Sequence, residues 1–508
     1  MHKLELKHIV ISSIVLSFFF LMSTYLGAKS SKPNIIFIFA DDMGIGDVSH
    51  TTGKAPTPHL DRMAKEGMRF TDAHTSSSVC TPSRYSVMTG RYCWRTHLKK
   101  GVYNKPDLYP LIKKGETTIA SLLKSKGYHT ACIGKWHLGI GWQKLPENQP
   151  RKYNTLGWDI DYSKPAITPT SNGFDYFFGI TSSLDMPPFL YIENERAISQ
   201  PTINMKVGSR VGPAVEGFRI DQCLTDFAAK SVSYIHERAE SKDPFFLYLP
   251  LTSPHTPISP SKNWIGKSGI DKYCDFVMET DWVVGEVLKA LDDKGIKDNT
   301  LVIFSTDNGS SPGHSDLRER GHYTNGNLRG HKADIFDGGH RVPFLVRWPK
   351  VVKPNTETAR LTCLTDVIST CSEIVGKKLD AASGVDGVSF LETLKDPNIE
   401  ERSAIVHHSF GGFFAIRKGK WKLNLCPHSG GWSFPMPGQE TADAPKVQLY
   451  DMSKDIAETT NLSEQYPTIV NELTALLEQY VQKGRSTAGK PQGNDGEVHI
   501  YGPPVEAF

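Results

Sequence analysis

"NIIFIFADD" (Asn34–Asp42) is an apolar run that ends on two carboxylates. Three further runs share this form. "YHTACIG" (Tyr128–Gly134) stops at Lys135-Trp136-His137, "FFLYLPL" (Phe245–Leu251) runs into Ser253-Pro254-His255, and "TLVIFST" (Thr300–Thr306) stops at Asp307-Asn308. Runs this continuously apolar suit strands of a sheet covered on both faces. Between them lie helical patterns, "PHLDRMAKEG", "IASLLKSKG" and "DFVMETDWVVGEVLKALDDKG", the last closed by Gly295. Strands alternating with helices predict an α/β fold with a largely parallel sheet. In such sheets ligands bind beyond the carboxyl ends of the strands. The polar endings of all four runs therefore fall on one edge.

Each ending has a plain alternative. Asp41 or Asp42 could cap a helix, His255 could be a loop residue, and Asp307-Asn308-Gly309 could be a simple turn. None of these explains why every run finishes in groups that do chemistry. Asp41, Asp42, Asp307 and Asn308 offer only oxygen ligands, which suit calcium or magnesium rather than zinc. Four protein oxygens and one from a substrate approach the larger coordination number of calcium, so one Ca²⁺ is expected. No His-rich or Cys-rich stretch competes for that role.

A chain of 508 residues can bury a large core and form two or more domains. Its formal charge of +3 implies no polyelectrolyte partner, so no nucleic acid is expected. Lys3, Lys7 and His8 precede an apolar run, Ile9 to Met22, and then "STYLGAKSS". That order reads as a secretory signal peptide over residues 1–28. The run is shorter than the ~20 residues that span a bilayer. An exported, periplasmic or extracellular protein without stable membrane insertion is expected; a retained anchor is the alternative, because Leu26 makes the cleavage site imperfect. The eight cysteines are scattered without a CxxC pair, which argues against a disulfide scaffold. A Cys363–Cys371 pairing stays open.

"SSSVCTPSRYSVMTGR" (Ser76–Arg91) places Cys80 two residues before Pro82 and four before Arg84. On its own it reads as a helix Ser83–Thr89 opened by Pro82, with Cys80 a small buried hydrophobe and Arg84 a surface cation. The company it keeps changes that. "FADDMGIGD" (Phe39–Asp47), "CTPSRYSVMTGR" (Cys80–Arg91), "GKWHLG" (Gly134–Gly139), "SPHTP" (Ser253–Pro257), "STDNG" (Ser305–Gly309) and "LRGHKADIFDGGHRVPFLVRWP" (Leu328–Pro349) occur in that order. Together they resemble the type I, formylglycine-dependent sulfatases of the alkaline phosphatase superfamily, closest in look to the arylsulfatase A and N-acetylgalactosamine-6-sulfatase types. One departure is Asp337 in "DGGHRVP", where relatives usually carry glutamate.

The resemblance implies an alkaline phosphatase-like α/β fold: a large mixed, mostly parallel sheet flanked by helices, with a smaller C-terminal α+β domain. It implies that a separate formylglycine-generating maturation enzyme oxidises Cys80 to Cα-formylglycine, with Pro82 and Arg84 in the recognition signal. One hydroxyl of the hydrated aldehyde attacks the sulfate ester and the other drives breakdown. The metal set becomes Asp41, Asp42, Asp307 and Asn308 with the modified Cys80. Lys135, Lys332 and Arg84 would offset anionic charge, His255 assisted by Lys332 would protonate the leaving oxygen, and His137 would take the second diol proton.

The domain reading is 1–28 signal peptide, 29–375 catalytic domain and 376–508 C-terminal subdomain. Within the last, Gly376–Glu400 reads as linking or peripheral, Ser403 onward as antiparallel strands and Pro467–Gln482 as a helix. A sulfated carbohydrate is the expected substrate, with galactose or N-acetylgalactosamine sulfated at O6 and cleaved from a chain end as the specific form. Asp185, His314, Arg318 and His322 are the candidate sugar contacts. A phosphonate or phosphate monoester hydrolase, and an inactive glycan-binding protein, are the competing functions.

Overall fold

Ile35, Phe37 and Phe39 face one hydrophobic core and Ile36, Ile38 and Ala40 the other, so the strand Asn34–Asp41 is buried on both sides. Full burial of such side chains contributes roughly 1.5–3 kcal/mol each. The structure, a computed structural model, describes residues 32–106, 109–400 and 402–503. The expected signal peptide falls outside them. Among the described residues no helix is long and apolar enough to cross a membrane.

The strand lies inside a ten-stranded sheet ordered Thr356–Thr358, Met68–Phe70, Phe344–Arg347, Thr300–Thr306, Asn34–Asp41, Phe245–Pro254, His129–Lys135, Tyr176–Ile180, Ile192–Glu193, Arg196–Ala197. The central strands, from Thr300–Thr306 to Tyr176–Ile180, run parallel. Phe344–Arg347 turns antiparallel against Thr300–Thr306. Helices Pro58–Glu66, Cys223–Ala239 and Lys272–Asp293 supply one core; Cys80–Thr89, Ile119–Lys124 and Asp366–Ile374 supply the other. The mixed, mostly parallel architecture expected from the sequence is present.

Register gathers the polar endings. Ala40 pairs with Thr306, so Asp41 and Asp307 leave adjacent strands side by side. Asp41 pairs with Pro254 after an irregularity beyond Phe39, which sets Asp42 beside His255. Gly134 (φ +133°) precedes Lys135, and a Cβ there would stand 1.9 Å from the Pro250 carbonyl oxygen. Only glycine permits that approach.

A four-stranded antiparallel sheet, Ala404–His408, Phe414–Lys418, Trp421–Asn424 and Gln448–Asp451, packs with the helix Pro467–Gln482 around a separate core. Tyr92 and Trp94, which follow the Cys80 helix, stack at 5.6 Å inside that core. The segment Gly376–Glu400, expected to be linking or peripheral, is anchored internally: Phe390 is buried, and buried Asp386 accepts from Arg95 Nε (2.8 Å) and Nη2 (2.9 Å). Its Val385 and Phe390 alternate too sparsely with polar residues to signal this in the sequence.

All eight cysteines are free and buried, so Cys363 and Cys371 are not paired. The fold also assembles a histidine cluster that no local stretch announces. His74, His340 and His407 come together, His74 from the short pairing with Cys363 and His407 from the C-terminal sheet. The His340 and His407 rings stack at 3.7 Å and 12°, and Nδ1 of His74 lies 3.1 Å from Nδ1 of His340. Beside them Lys422 Nζ donates to Asp337 Oδ1 (2.7 Å) and lies 2.8 Å from Glu458 Oε1. Burial opposes ionisation of Asp337, yet Lys422 and the histidines hold it well below the usual carboxylate range. Asp337 thus keeps its ion pair with Lys422 although both are fully buried.

Candidate active site

Cys80 is the first residue of the helix Cys80–Thr89, three residues earlier than the sequence pattern placed the start. Its N-cap, Val79, has no side-chain acceptor, and Gly90 closes the other end in the left-handed region with its N–H donating to Ser86 (2.8 Å). Helix N-termini favour anions. Burial pushes the Cys80 thiol up to about 11, although Lys135 and Lys332 act in the other direction. An unmodified Cys80 is therefore a neutral thiol at neutral pH and a poor nucleophile.

Around it the carboxylates and cations interlock. Lys135 Nζ donates to Asp41 Oδ2 (2.5 Å) and to Ser183 Oγ (2.7 Å). Arg84 Nε donates to Asp307 Oδ2 (2.9 Å), and Nη1 to the Lys135 carbonyl (3.2 Å). Lys332 Nζ donates to Asp42 Oδ2 at 2.8 Å, and His255 Nε2 lies 3.7 Å from the same oxygen. Asn308 Nδ2 donates to Asp42 Oδ1 at 2.7 Å. Arg84 is thus fully buried and paired, not a surface cation.

Ionisation follows this pairing. Burial works against the charged forms of Asp41 and Asp42, but Lys135 for the first, and His255 and Lys332 for the second, hold them below the usual range. Burial and the Asp41 charge push Asp307 up to about 7, against Arg84 and Lys135. Burial and the nearby Lys135 charge push His137 well below 6.5; burial also lowers His255, with Asp42 opposing. Asp42 (φ +61°), His137 (φ +56°) and Ala333 (φ +80°) all occupy the left-handed region. Such strain in non-glycine residues concentrates at functional sites.

Two buried oxygens here, Asp41 Oδ1 and Asn308 Oδ1, have no hydrogen-bond partner. Asp41, Asp42 and His255 bring ligand atoms within 4.8 Å of one another. Orphaned oxygens beside carboxylates crowded enough to raise Asp307 fit a hard divalent cation.

The candidate sugar contacts do not all gather. Asp185 pairs with Arg210, and its Oδ1 is buried without a partner. His314 stacks on Tyr273 at 4.0 Å, and the Arg318 guanidinium lies 4.9 Å over the Tyr323 ring. His322 is fully buried, with Nε2 2.8 Å from Asp47 Oδ1 and Nδ1 accepting from the Lys54 N–H (3.1 Å). Both its nitrogens are committed inside the fold. Two supporting groups were missed in the sequence. Ser183 lies two residues before Asp185, in the stretch "SLDMPPF" (Ser183–Phe189). Tyr103 acts through its backbone carbonyl, which accepts from His137 Nε2 at 2.7 Å, and a backbone role leaves no side-chain signal.

Buried cations among carboxylates, beside imidazoles that burial keeps toward the neutral form, suit the chemistry of a hydrolase acting on an anionic ester. The Sulfatase family model matches residues 33–377. The chain is 34% identical over 502 residues to an N-acetylgalactosamine-6-O-sulfatase of Bacteroides thetaiotaomicron, covering 89% of this chain and 94% of that one. It is 30% identical to bovine arylsulfatase A, covering 89% and 87%. A solved structure from work on the metabolism of multiple glycosaminoglycans by Bacteroides thetaiotaomicron superposes with a TM-score of 0.75 at 31% identity, over 89% of this chain and 99% of that one. The chain belongs to the sulfatase family. Its reaction is the hydrolysis of sulfuric esters.

Proposed function

We propose that this sulfatase is exported and removes sulfate from carbohydrates, acting at chain ends on galactose or N-acetylgalactosamine sulfated at O6. The observation that carries the reading is the convergence of Asp41-Asp42, Lys135, His137, His255 and Asp307-Asn308 on the N-terminus of the Cys80 helix, with buried oxygens left unpaired. The N-acetylgalactosamine-6-O-sulfatase relative, alike over almost its whole length, supports the sugar and position.

Asp41, Asp42, Asp307 and Asn308 would hold one Ca²⁺, which supplies charge stabilisation to a sulfate oxygen when bound. Conversion of Cys80 to Cα-formylglycine by a maturation enzyme would supply a hydrated aldehyde as nucleophile. The remaining work falls to the chain's own side chains. Lys135, Lys332 and Arg84 offset the negative charge of the ester, a contribution of several kcal/mol in a water-poor site. His255 presents Nε2 toward Asp42 while Nδ1 donates to the Thr256 carbonyl. The arriving sulfate charge raises its proton affinity, so Nε2 protonates and passes that proton to the leaving sugar oxygen, with Lys332 alongside. His137 holds Nε2–H on the Tyr103 carbonyl and keeps a bare Nδ1 as proton acceptor.

The family match over 33–377 supports a catalytic domain at 29–375 followed by a C-terminal subdomain at 376–508. The test is sulfate release from 6-sulfated galactose and N-acetylgalactosamine oligosaccharides, compared with the 2-, 3- and 4-sulfated isomers and the intact polymer. Preference for another position, or for internal residues of the polymer, overturns the specific assignment.

A further inference from the structure

A pocket of about 310 Å³ opens beside Lys332, between the turn Pro312–Arg320 and the stretch Tyr323–His331, with Ser433 from the C-terminal segment on its rim. Its volume is at the small end of ligand sites. The catalytic elements hold its walls. The Ser310 carbonyl, one residue before the pocket-lining Ser311, accepts from the Lys332 N–H at 3.0 Å, and Gly330-His331 lead directly into Lys332. Tyr273, on which His314 stacks, bonds Asp47 Oδ2 (2.6 Å) and lies 3.1 Å from Ser310 Oγ.

The lining is one-sided in charge. It includes the guanidinium groups of Arg318 and Arg329 and no carboxylate. Asp316 and Glu319 of the same turn are exposed and do not line it. Arg329 is committed: it donates to the Glu458 carbonyl (2.7 Å) and lies 3.8 Å over the Phe336 ring. Arg318 has no acidic partner among the described residues and rests on the Tyr323 ring. A guanidinium stacked by its face keeps its N–H edge available, and that edge recognises carboxylates and sulfates.

We propose that this pocket is a subsite for a second anionic group, a carboxylate or a sulfate, carried by the substrate beside the ester that is cleaved, and that Arg318 selects it. The proposal rests on the carbohydrate reading above. A charge-assisted hydrogen bond of this kind corresponds to roughly a ten- to hundredfold preference.

The test compares kcat/KM for a 6-sulfated N-acetylgalactosamine with kcat/KM for the same sugar carrying either a second sulfate or a linked uronate, in wild type, Arg318→Ala and Arg318→Lys. The expected result is at least about a tenfold preference for a doubly charged substrate, erased in Arg318→Ala and partly restored in Arg318→Lys. The disulfated and uronate arms separate the two sources of the anion. Equal kcat/KM for singly and doubly charged sugars, or a preference that survives in Arg318→Ala, overturns the subsite while leaving the carbohydrate reading intact. If aryl sulfate is turned over and no sugar sulfate is, the carbohydrate reading fails. The subsite is then read by competitive inhibition of aryl sulfate hydrolysis with a uronate and a disulfated sugar, and inhibition independent of Arg318 overturns it.

Discussion

The Nε2 atom of His137 stands 2.7 Å from the backbone carbonyl oxygen of Tyr103, while Nδ1 of the same ring is buried with no partner. The Tyr103 N–H in turn donates to Oγ1 of Thr81 (3.2 Å), the residue after Cys80. A carbonyl can only accept, so the proton must sit on Nε2 and the lone pair on Nδ1. The helix that carries Cys80 therefore sets the tautomer of the candidate base.

His137→Ala is expected to slow turnover by about 10²–10⁴-fold. Release of the alcohol or phenol should show a burst equal to the enzyme concentration and then stall, because the second half of the cycle fails first. Burial and Lys135 keep the imidazole pKa well below 6.5, so the base is already neutral at neutral pH and loses competence only on acidification beyond that. A burst-free His137→Ala variant, or a wild-type rate that rises through pH 6.5–8, contradicts this role.

His255 is expected to matter in proportion to the basicity of the leaving group. Its Nε2 lies 3.7 Å from Asp42 Oδ2, on the side where Lys332 also arrives. His255→Ala should cost much more with sugar sulfates than with nitrophenyl sulfate, whose phenolate departs without a proton. The measurement is a plot of log kcat/KM against leaving-group pKa. A parallel downward shift, with no change in slope, rules out proton donation.

The strand endings were legible because burial on both faces keeps ionised side chains out of the middle of a run, so Asp41, Lys135, His255 and Asp307 mark where each run ends. Thr300–Thr306 and Pro467–Gln482 match their expected bounds. What the sequence hides is pairing. Arg84 reads as a surface cation until Asp307 meets it from 223 positions away. His322 reads as a candidate sugar contact until Asp47 and Lys54 enclose it. His74, His340 and His407 belong to segments that only the packed sheets bring together.

Asp307 and Asp316 should separate metal binding from general surface charge. Asp307 is fully buried on Arg84, whereas Asp316 is exposed. Asp307→Asn should weaken calcium binding by more than tenfold, read by calorimetry on chelator-treated protein, and Asp316→Ala should leave it unchanged. Calcium at ~1,000 times its Kd should add about 4 kcal/mol of stability to the wild type. A melting temperature insensitive to calcium in the stripped wild type defeats the assignment.

Lys422 satisfies two buried carboxylates, Asp337 and Glu458. Lys422→Met should cost about 3–5 kcal/mol, because it leaves buried charge unpaired. Glu458 provides the pH signature. Burial pushes its pKa from 4.5 up to about 6, although Lys422 opposes this. The folded chain therefore holds a proton that the unfolded chain has released. This contribution to stability is full below pH 4.5 and is lost as pH rises through about 6. Glu458→Gln should flatten the stability profile in that window, measured by urea unfolding; an unchanged profile refutes the coupling.

Activity should track the aldehyde content at position 80 and not the thiol. The cysteine side chain is 2% exposed and burial pushes its pKa up to about 11, so at neutral pH almost none is thiolate. Thiolate is the nucleophilic form. Lys135 and Lys332 do pull the pKa down, but burial outweighs them. A thiol held neutral in this way is a poor nucleophile toward a sulfate ester, which is what the proposed conversion of Cys80 would remedy. Protein made without the maturation enzyme should fold with the same melting temperature and be inactive. Co-expression with that enzyme should raise kcat in proportion to the fraction of aldehyde found by peptide mass spectrometry. Cys80→Ser, isosteric and unconvertible by the same route, should stay inactive in both hosts. Full turnover by protein whose Cys80 peptide carries only thiol would show that the ester is opened by some other group in the cleft.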